Sequence, residues 1–372
     1  MTKRILITAS TWLHIKCFHL PYIDEFQKKG YQVDVACGGV YLEGVTAHKK
    51  TQLSLEKSLF SLRNWKTVGV LKREIKIGRY DMIICHTSLA AFFTRLAVCL
   101  IKDRPPVVYV VHGYLFGEKT NLLRKALLVG AEKLMAPVTT LLLPMNRWDE
   151  EFAKKHRLAK KIKKIPGMGV DFSSIKNTGA EAGRILREKL QISQDDFILL
   201  YAAEFSKRKN QIFLLKECKK LPENVKLLLP GEGTLRRECI ARAKEMGIEE
   251  RVVFPKWVSD IEIWYAAADA VITSSRSEGL PFHIMEAMGS GLPVIAAEIK
   301  GHIDLIRDGE NGLLYPPGDG AACRKAIFRL MQDKRLREQL GDNARKTAMR
   351  YELDRVLPKV MRYYDQVLEK SE

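Results

Sequence analysis

The stretch SSRSEGLPFHIMEAMGSGLPVIAAE, Ser274–Glu298, decides the fold because it joins a loop, a helix and a strand in close succession. The apolar run Ala270–Thr273 precedes it and predicts a strand that ends at the loop. A helix that begins at such a loop presents backbone N–H groups and the positive end of its dipole, which suit a phosphate group. Glu278 lies at the loop and Glu286 about two helical turns further on, where each carboxylate can accept hydrogen bonds from ligand hydroxyls. Taken alone, such a pair is more typical of a capping residue and a solvated helix face.

Short β-branched runs alternate with longer helical segments through the whole 372-residue chain. This pattern predicts parallel sheets with crossover helices, and so an α/β fold with two Rossmann-like, doubly wound domains. The predicted strands of the first half are Arg4–Thr8, Gln32–Ala36, Met82–Cys85, Val107–Val111, Thr140–Leu143 and Lys163–Ile165. Those of the second half are Phe197–Ala202, Val225–Leu229, Val252–Phe254, Ala270–Thr273 and Val294–Ala296.

The boundary between the domains is predicted within Ile165–Gly179, where Pro and Gly interrupt the pattern. We therefore expect an N-terminal domain over 1–170 and a C-terminal domain over 171–349. The segment 350–372 predicts a helix with no strand after it, which we expect to cross back to the first domain. Because ligands of such folds bind at the carboxyl ends of strands, the two domains are expected to face each other across a cleft.

The charge of the chain lies almost entirely in its first half. The whole chain carries 62 Lys and Arg against 44 Asp and Glu, and residues 1–170 alone carry 29 against 13. Such an excess indicates an anionic partner, for which nucleic acid, an acidic membrane surface and a phosphorylated substrate all remain open, or a basic surface kept for solubility. The hydrophobic share of 46% argues against a disordered chain.

The cysteines and the apolar runs predict a cytoplasmic protein. The seven Cys are scattered without metal-ligand spacing, which favours buried thiols in a reducing compartment. The N-terminus lacks the apolar core of a signal peptide. His86 and Arg95 interrupt the most apolar stretch, Ile83–Ile101, so it predicts a strand and a buried helix rather than a membrane span.

The stretch Ser274–Glu298 resembles the E-x7-E signature of the retaining glycosyltransferases with two Rossmann-like domains (the GT-B fold), known as group 1 or family 4. The match includes the Ser before the loop, Gly-Leu-Pro, Glu-Ala-Met and Gly-x-Pro-Val-Ile. Gly301–Ile306 and Asp308–Leu314 resemble the loop and closing hairpin that follow the signature. Pro230–Gly233 resembles the glycine loop beside the nucleotide, and the segment from Val252 to Asp260 resembles the one that cradles the base.

The resemblance implies a set of site residues. It assigns Glu286 to the ribose, Glu278 to hydroxyls of the donor sugar, and His112 to the sugar and the reaction centre, so that Glu278 and His112 are the catalytic candidates. His14 and His86 are similar to residues on the acceptor side. The further donor-binding candidates are Lys209, Gly231, Glu232, Gly233, Val258, Gly279 and Leu280.

The sequence departs from the family at Glu204, where the family commonly places an Arg that binds the diphosphate. A carboxylate repels that dianion, so we expect Glu204 to turn away or to pair with a cation. Lys209 keeps the second cation of the family pattern, and Lys207 or Arg208 is expected to supply the missing charge.

The resemblance implies transfer of a hexosyl unit from a nucleotide sugar, most often a UDP-sugar, with retention at the anomeric carbon. Stabilising the departing diphosphate is then the main catalytic task. Lys209 and the N–H groups around Gly279 and Leu280 suit it. Since no Asp-x-Asp motif is present, we expect no metal and no other cofactor. A front-face mechanism is favoured over a carboxylate nucleophile, because both Glu residues come from one domain.

The basic first half is interpreted as the acceptor side. A polyprenyl-pyrophosphate-linked saccharide acceptor of exopolysaccharide or capsule biosynthesis, held at the inner face of the plasma membrane, favours a positive and partly apolar surface. Leu59–Arg79 and Lys154–Lys164 are the segments that predict it. The alternatives are a sugar-nucleotide epimerase, a soluble-glucan synthase, and a nucleic-acid-binding protein. The last of these explains the charge but not the E-x7-E segment, so we expect no nucleic-acid partner.

Overall fold

The computed structural model of the chain describes residues 2–56, 61–117 and 120–370. They form two compact units, of which the first comprises Met1–Gly169 with Leu353–Glu372 and the second Val170–Glu352. Each unit contains a parallel sheet with helices between the strands. The predicted Rossmann-like α/β architecture is therefore confirmed for both halves of the chain.

The sheet of the first unit has seven strands in the described part of the chain. They are β1 (Arg4–Ala9), β2 (Gln32–Cys37), β3 (Lys49–Gln52), β4 (Met82–His86), β5 (Val107–Val111), β6 (Leu141–Pro144) and β7 (Lys161–Ile162). Their spatial order is β3-β2-β1-β4-β5-β6-β7. The helices are α1 (Trp12–Phe18), α2 (Leu20–Lys28), α3 (Leu62–Gly78), α4 (Ser88–Cys99), α5 (Leu122–Met135), α6 (Arg147–His156) and α15 (Leu353–Glu369).

Strand order places the carboxyl ends of β1, β4 and β5 side by side at one edge of this sheet. The helix that follows β1, α1, is capped by Thr11, whose hydroxyl accepts a hydrogen bond from the His14 N–H. The helix α4 packs between α3 and α5. The C-terminal helix α15 packs on α2, where the Tyr364 ring contacts Tyr22 and Phe26.

Two strands of the first unit differ from the prediction. Lys49–Gln52, with the polar sequence KKTQ, forms the edge strand β3 beside β2, which the periodicity of the sequence does not indicate. The strand predicted at Lys163–Ile165 begins two residues earlier, as β7. The N–H groups of Lys163 and Ile165 still donate to the carbonyls of Leu142 and Pro144, so the backbone continues along β6 beyond the strand.

The second unit has six strands among its described residues, namely β8 (Phe197–Leu200), β9 (Val225–Leu228), β10 (Val252–Val253), β11 (Ala270–Thr273), β12 (Val294–Ala297) and β13 (Leu313–Tyr315). Their order is β10-β9-β8-β11-β12-β13. The helices are α7 (Ser173–Asn177), α8 (Ala180–Lys189), α9 (Gln211–Cys218), α10 (Arg236–Glu245), α11 (Ile261–Ala267), α12 (Phe282–Gly289), α13 (Gly320–Gln332) and α14 (Lys334–Ala348). A core of apolar strand and helix residues fills this unit.

The segment expected as a closing hairpin, Asp308–Leu314, makes a tight turn that a bridge between Asp308 and Gly312 closes. The chain then continues into the strand β13, which is parallel to β12. The expectation of buried thiols holds for five cysteines, whereas Cys17 is exposed and Cys99 half-buried.

None of the helices in the described ranges is long and apolar enough to span a membrane.

Candidate active site

The loops that leave β8, β9, β10, β11 and β12 gather at the carboxyl edge of the second sheet. The signature segment follows β11, and its helix α12 begins just after Pro281. Gly301, in the loop after β12, has a φ of +83°, and a Cβ built on it would lie 2.6 Å from the Gly279 carbonyl oxygen. A side chain at this position would therefore push the signature loop away, so glycine is required here.

Glu278 lies at the centre of this edge, and its carboxylate binds two cations. Oε1 lies 2.7 Å from Lys209 Nζ, and Oε2 lies 2.7 Å from a guanidinium nitrogen of Arg208. The Ser275 hydroxyl donates to Oε1 at 2.7 Å. Tyr201, at the end of β8, contacts the Ser275 hydroxyl at 2.7 Å, so the carboxylate is held by partners from two strands' loops.

These contacts keep Glu278 ionised. Burial alone would raise the pKa of this carboxyl, but the nearby charges of Lys209 and Arg208 lower it well below its usual range. Burial lowers the pKa of Lys209, and its pairing with Glu278 opposes that shift. The buried Lys209 and the more exposed Arg208 thus bring two positive charges to a single carboxylate.

Glu286 lies on α12 in a different environment. Its Oε2 accepts a hydrogen bond of 2.9 Å from the hydroxyl of Tyr265, which belongs to α11. Burial raises the pKa of Glu286 above its ordinary value, although the Tyr265 hydrogen bond works in the opposite direction. The two carboxylates of the signature therefore differ, since one is held ionised by cations and the other is desolvated beside a hydroxyl.

The predicted glycine loop packs closely on the backbone after β8. Gly231 and Gly233 have φ angles of +148° and +149°, and a Cβ on either would clash with the backbone of Ala203 or Phe205. The Gly231 N–H also donates to the Lys256 carbonyl at 3.1 Å. Glu232 is exposed. The glycine loop and the segment after β10, where Val258 is half-buried, therefore lie together at this edge.

Glu204 is exposed at the position where the family places an Arg. Burial lowers the pKa of the Arg208 guanidinium, but the nearby charge of Glu278 and, less strongly, that of Glu204 raise it above its ordinary value. Of the two residues expected to supply the missing positive charge, Arg208 joins Lys209 at the Glu278 carboxylate. Lys207 is exposed.

In the first unit, the three predicted histidines lie together at the carboxyl edge of its sheet. His14 Nε2 lies 3.3 Å from His112 Nε2, and His86 Nδ1 lies 3.1 Å from the same atom. A fourth residue, His19, stacks on His86 with ring centroids 3.6 Å apart. Burial lowers the pKa of all four, to about 4 for His14, so the rings are neutral near pH 7.

Comparison with known proteins assigns the family. Residues 184–347 match the family model described as Glycosyl transferases group 1, and residues 22–171 match the model described as Glycosyltransferase Family 4. EpsD of Bacillus subtilis, which is named as a glycosyltransferase, is 32% identical over 374 residues, or 99% of this chain and 98% of EpsD. The chain is a family 4 glycosyltransferase.

Two further proteins resemble this glycosyltransferase. An Escherichia coli enzyme, UDP-Gal:alpha-D-GlcNAc-diphosphoundecaprenol alpha-1,3-galactosyltransferase, is 25% identical over 289 residues, covering 76% of this chain and 74% of that enzyme. HepE of Anabaena, solved in complex with UDP and glucose, superposes with a TM-score of 0.80 at 21% identity and covers 98% of this chain and 100% of its own. The fold of the glycosyltransferase is accordingly of the GT-B type.

Several residues at the edge of the second sheet were not predicted as site residues. Ser275 and His283 lie within the quoted stretch, and Tyr201 and Tyr265 lie on neighbouring elements. Within the described residues, the buried Nε2 atoms of His283 and His302 have no hydrogen-bond partner. The sequence offers a signal only for Ser275 and His283, because the other partners become neighbours through the strand order.

Proposed function

We propose that this glycosyltransferase moves a hexosyl unit from a UDP-sugar to a lipid-linked saccharide, with retention, in exopolysaccharide or capsule biosynthesis. The observation that carries the proposal is the cluster of Lys209, Arg208 and Glu278 at the carboxyl edge of the second sheet. Its two cations suit a diphosphate leaving group. The E. coli relative named for a UDP-galactose donor and a diphosphoundecaprenol acceptor supports the choice of both substrates.

In this proposal the second unit binds the donor. Lys209 and Arg208 stabilise the negative charge that develops on the β-phosphate, with the backbone N–H groups of Gly279 and Leu280 before α12. An ionised carboxylate has about four lone-pair sites, of which three already accept from Lys209, Arg208 and Ser275. The remaining site on Oε2 is available to a hydroxyl of the donor sugar. Glu278 thereby both orients the cations and contacts the substrate.

Glu286 and the glycine loop complete the donor site. The Glu286 carboxylate accepts hydrogen bonds from the ribose hydroxyls. Gly231 and Gly233 let this loop pack on the backbone after β8, where a side chain at either residue would clash, and the proposal places the nucleotide beside this loop.

The reaction is proposed to run by the front-face route. Glu278 is already bound to two cations, which lowers the basicity and nucleophilicity of its carboxylate. The departing diphosphate then takes the proton of the acceptor hydroxyl as the new glycosidic bond forms on the same face. We assign His112 of the first unit to the transferred sugar, with His14 and His86 on the acceptor side. Because Lys209 and Arg208 supply the positive charge, this chemistry needs no Mg²⁺ or Mn²⁺.

An anionic membrane surface is the proposed location of the acceptor. The helices α3 and α5, which flank α4, expose large apolar side chains among several Lys and Arg. Leu122 and Leu123 are 84% and 83% exposed, and Trp65 is 53% exposed. Apolar side chains that enter the interface next to basic ones are typical of peripheral membrane binding. Leu59 and Phe60, at the start of the predicted basic segment, lie outside the described residues.

A donor screen tests the proposed function. The purified chain is incubated with a panel of nucleotide sugars, and stabilisation against heat and release of the nucleoside diphosphate are measured. We expect UDP and one or more UDP-hexoses to raise the melting temperature, whereas nucleotides with other bases do so less. Binding of duplex DNA in preference to every nucleotide would contradict the proposal.

A further inference from the structure

The four clustered histidines of the first unit are arranged as metal ligands. His14, His19, His86 and His112 each offer one ring nitrogen, and these four atoms all lie within 4.8 Å of one another. Three elements bring them together. His14 lies on α1 and His19 directly after it, whereas His86 ends β4 and His112 follows β5. We propose that these histidines form a binding site for a divalent transition-metal ion, with Zn²⁺ as the best-fitting common ion.

The spacing of the nitrogens fits tetrahedral coordination. With Zn–N distances of about 2.0–2.1 Å, the ligand nitrogens of a tetrahedral site lie roughly 3.3 Å apart. His112 Nε2 lies 3.3 Å from His14 Nε2 and 3.1 Å from His86 Nδ1. These two pairs of nitrogens therefore already have the spacing of ligands in a tetrahedral site.

His19 provides a second and independent observation. It is 1% exposed, and in the described part of the chain neither of its ring nitrogens has a hydrogen-bond partner. Buried polar atoms without a partner are costly and often mark the place of a missing ligand. A metal ion bound by the cluster would satisfy one of these nitrogens.

The backbone around the cluster holds its ligands in place. Thr87, directly after His86, has a φ of +64°, which is a strained conformation for a β-branched residue. Its hydroxyl oxygen lies 2.6 Å from the Ser10 hydroxyl and accepts the Ser10 N–H, which ties the end of β4 to the end of β1. His14 and His112 are only half-buried, so an ion can enter from their side.

The donor set also selects among metals. Neutral imidazole suits Zn²⁺, Cu²⁺ and Ni²⁺, whereas Mg²⁺ and Ca²⁺ prefer oxygen ligands. Three of the proposed ligands, His14, His86 and His112, are the residues assigned above to the acceptor and the transferred sugar, so the ion would lie on the acceptor side of the reaction. The diphosphate is still met by the two cations of the second unit.

Metal titration of the full-length chain, purified without a histidine tag and stripped by a chelator, tests the proposal. We expect Co²⁺ to bind one ion per chain with the intense visible absorption of tetrahedral sites, Zn²⁺ to displace it, and Mg²⁺ to have no effect. Neither donor nor acceptor is present, so the outcome does not depend on the proposed sugar transfer.

Variants locate the site. His14→Asn and His86→Asn should each weaken Zn²⁺ binding by about 100-fold or more, since even outer-shell changes cost up to about 100-fold. His156→Asn, which changes a histidine outside the cluster, should bind as the wild type does. Thermal unfolding without metal checks that each variant is folded, and the half-buried His14 serves if His86→Asn does not fold. Folded wild type that binds no Zn²⁺, or binding that survives both cluster substitutions, would show a hydrogen-bonded histidine cluster instead and overturn the proposal.

Discussion

At the scale of single residues, Glu278 is the carboxylate on which the proposed donor site depends. Its side chain is 7% exposed and pairs with Lys209, whose side chain is 10% exposed. Removing one member of such a buried pair costs more than the pair contributes, because the other charge is left without a partner. The same carboxylate fixes Arg208, so a single substitution alters both cations of the site.

We expect Glu278→Gln to lower turnover at saturating donor by about 100-fold or more and to reduce the free energy of unfolding by roughly 3 kcal/mol. Lys209 and Arg208 lower the pKa of the Glu278 carboxyl. Its contribution to the free energy of unfolding is therefore complete above pH 4.5, the ordinary pKa of this group, and is lost as the pH falls below that value. Chemical denaturation over that acidic range and steady-state kinetics measure both effects. Glu338→Gln, on the exposed face of α14, is the control, and wild-type turnover in Glu278→Gln would refute the assignment.

Glu286 should show the opposite dependence on pH. Burial raises the pKa of Glu286, so the folded state loses stability as the pH rises from 4.5 through that raised value. Glu286→Gln keeps an acceptor for Tyr265 and carries no charge, so we expect it to be more stable than the wild type near pH 7 and equal to it below 4.5. UDP affinity should fall by about 10-fold, because hydrogen bonds to a charged group are lost. Chemical denaturation measures the stability, and calorimetry measures the affinity for UDP. A variant less stable than the wild type near pH 7 would contradict this account.

At the scale of elements, α3 and α5 carry the proposed membrane contact. Both helices pack on α4 through their inner faces, and the Trp65 ring of α3 contacts Phe93 of α4. Away from α4 they expose a group of leucines, namely Leu62, Leu122, Leu123, Leu127 and Leu134. An apolar side chain transferred from water into the interface contributes up to about 2 kcal/mol.

The double substitution of Leu122 and Leu123 by Ser should weaken binding to anionic liposomes by about 10-fold or more. Added salt should weaken the wild type as well, because the basic side chains of both helices contribute. Co-sedimentation with vesicles of anionic and of neutral lipid measures this effect. Ile185→Ser, an exposed position on α8 of the second unit, is the control. Equal binding of the wild type to both kinds of vesicle would contradict the electrostatic part of the proposal.

The elements that the sequence predicts poorly are those with a weak apolar pattern. The strand β3 consists of polar residues at an edge of the sheet, where one neighbouring strand supplies its hydrogen bonds. The strand β13 has only three residues, which is too short for a periodic signal. The central strands were predicted almost to the residue, because burial on both faces requires continuous β-branched and aliphatic runs.

At the scale of the whole molecule, the two units share one architecture but differ in charge and in the chemistry at their carboxyl edges. Residues 1–170 hold nearly all of the net positive charge, and the first unit gathers neutral histidines. The second unit gathers two carboxylates and two cations. Sequence motifs could indicate the second site, since both of its carboxylates lie in one stretch and Lys209 and the glycine loop lie in recognisable motifs. They could not indicate that Arg208 joins Glu278, or that four histidines from three separate segments converge, because strand order decides both.

The central claim is that this chain transfers a hexosyl unit from a UDP-sugar with retention. The most direct test is to supply the preferred UDP-hexose and a polyprenyl-diphosphate-linked acceptor, and to determine the anomeric configuration of the product by NMR while UDP release is followed. We predict UDP release that requires the acceptor and a linkage with the same configuration as the donor. A product of inverted configuration, or no transfer from any UDP-hexose, would contradict the account.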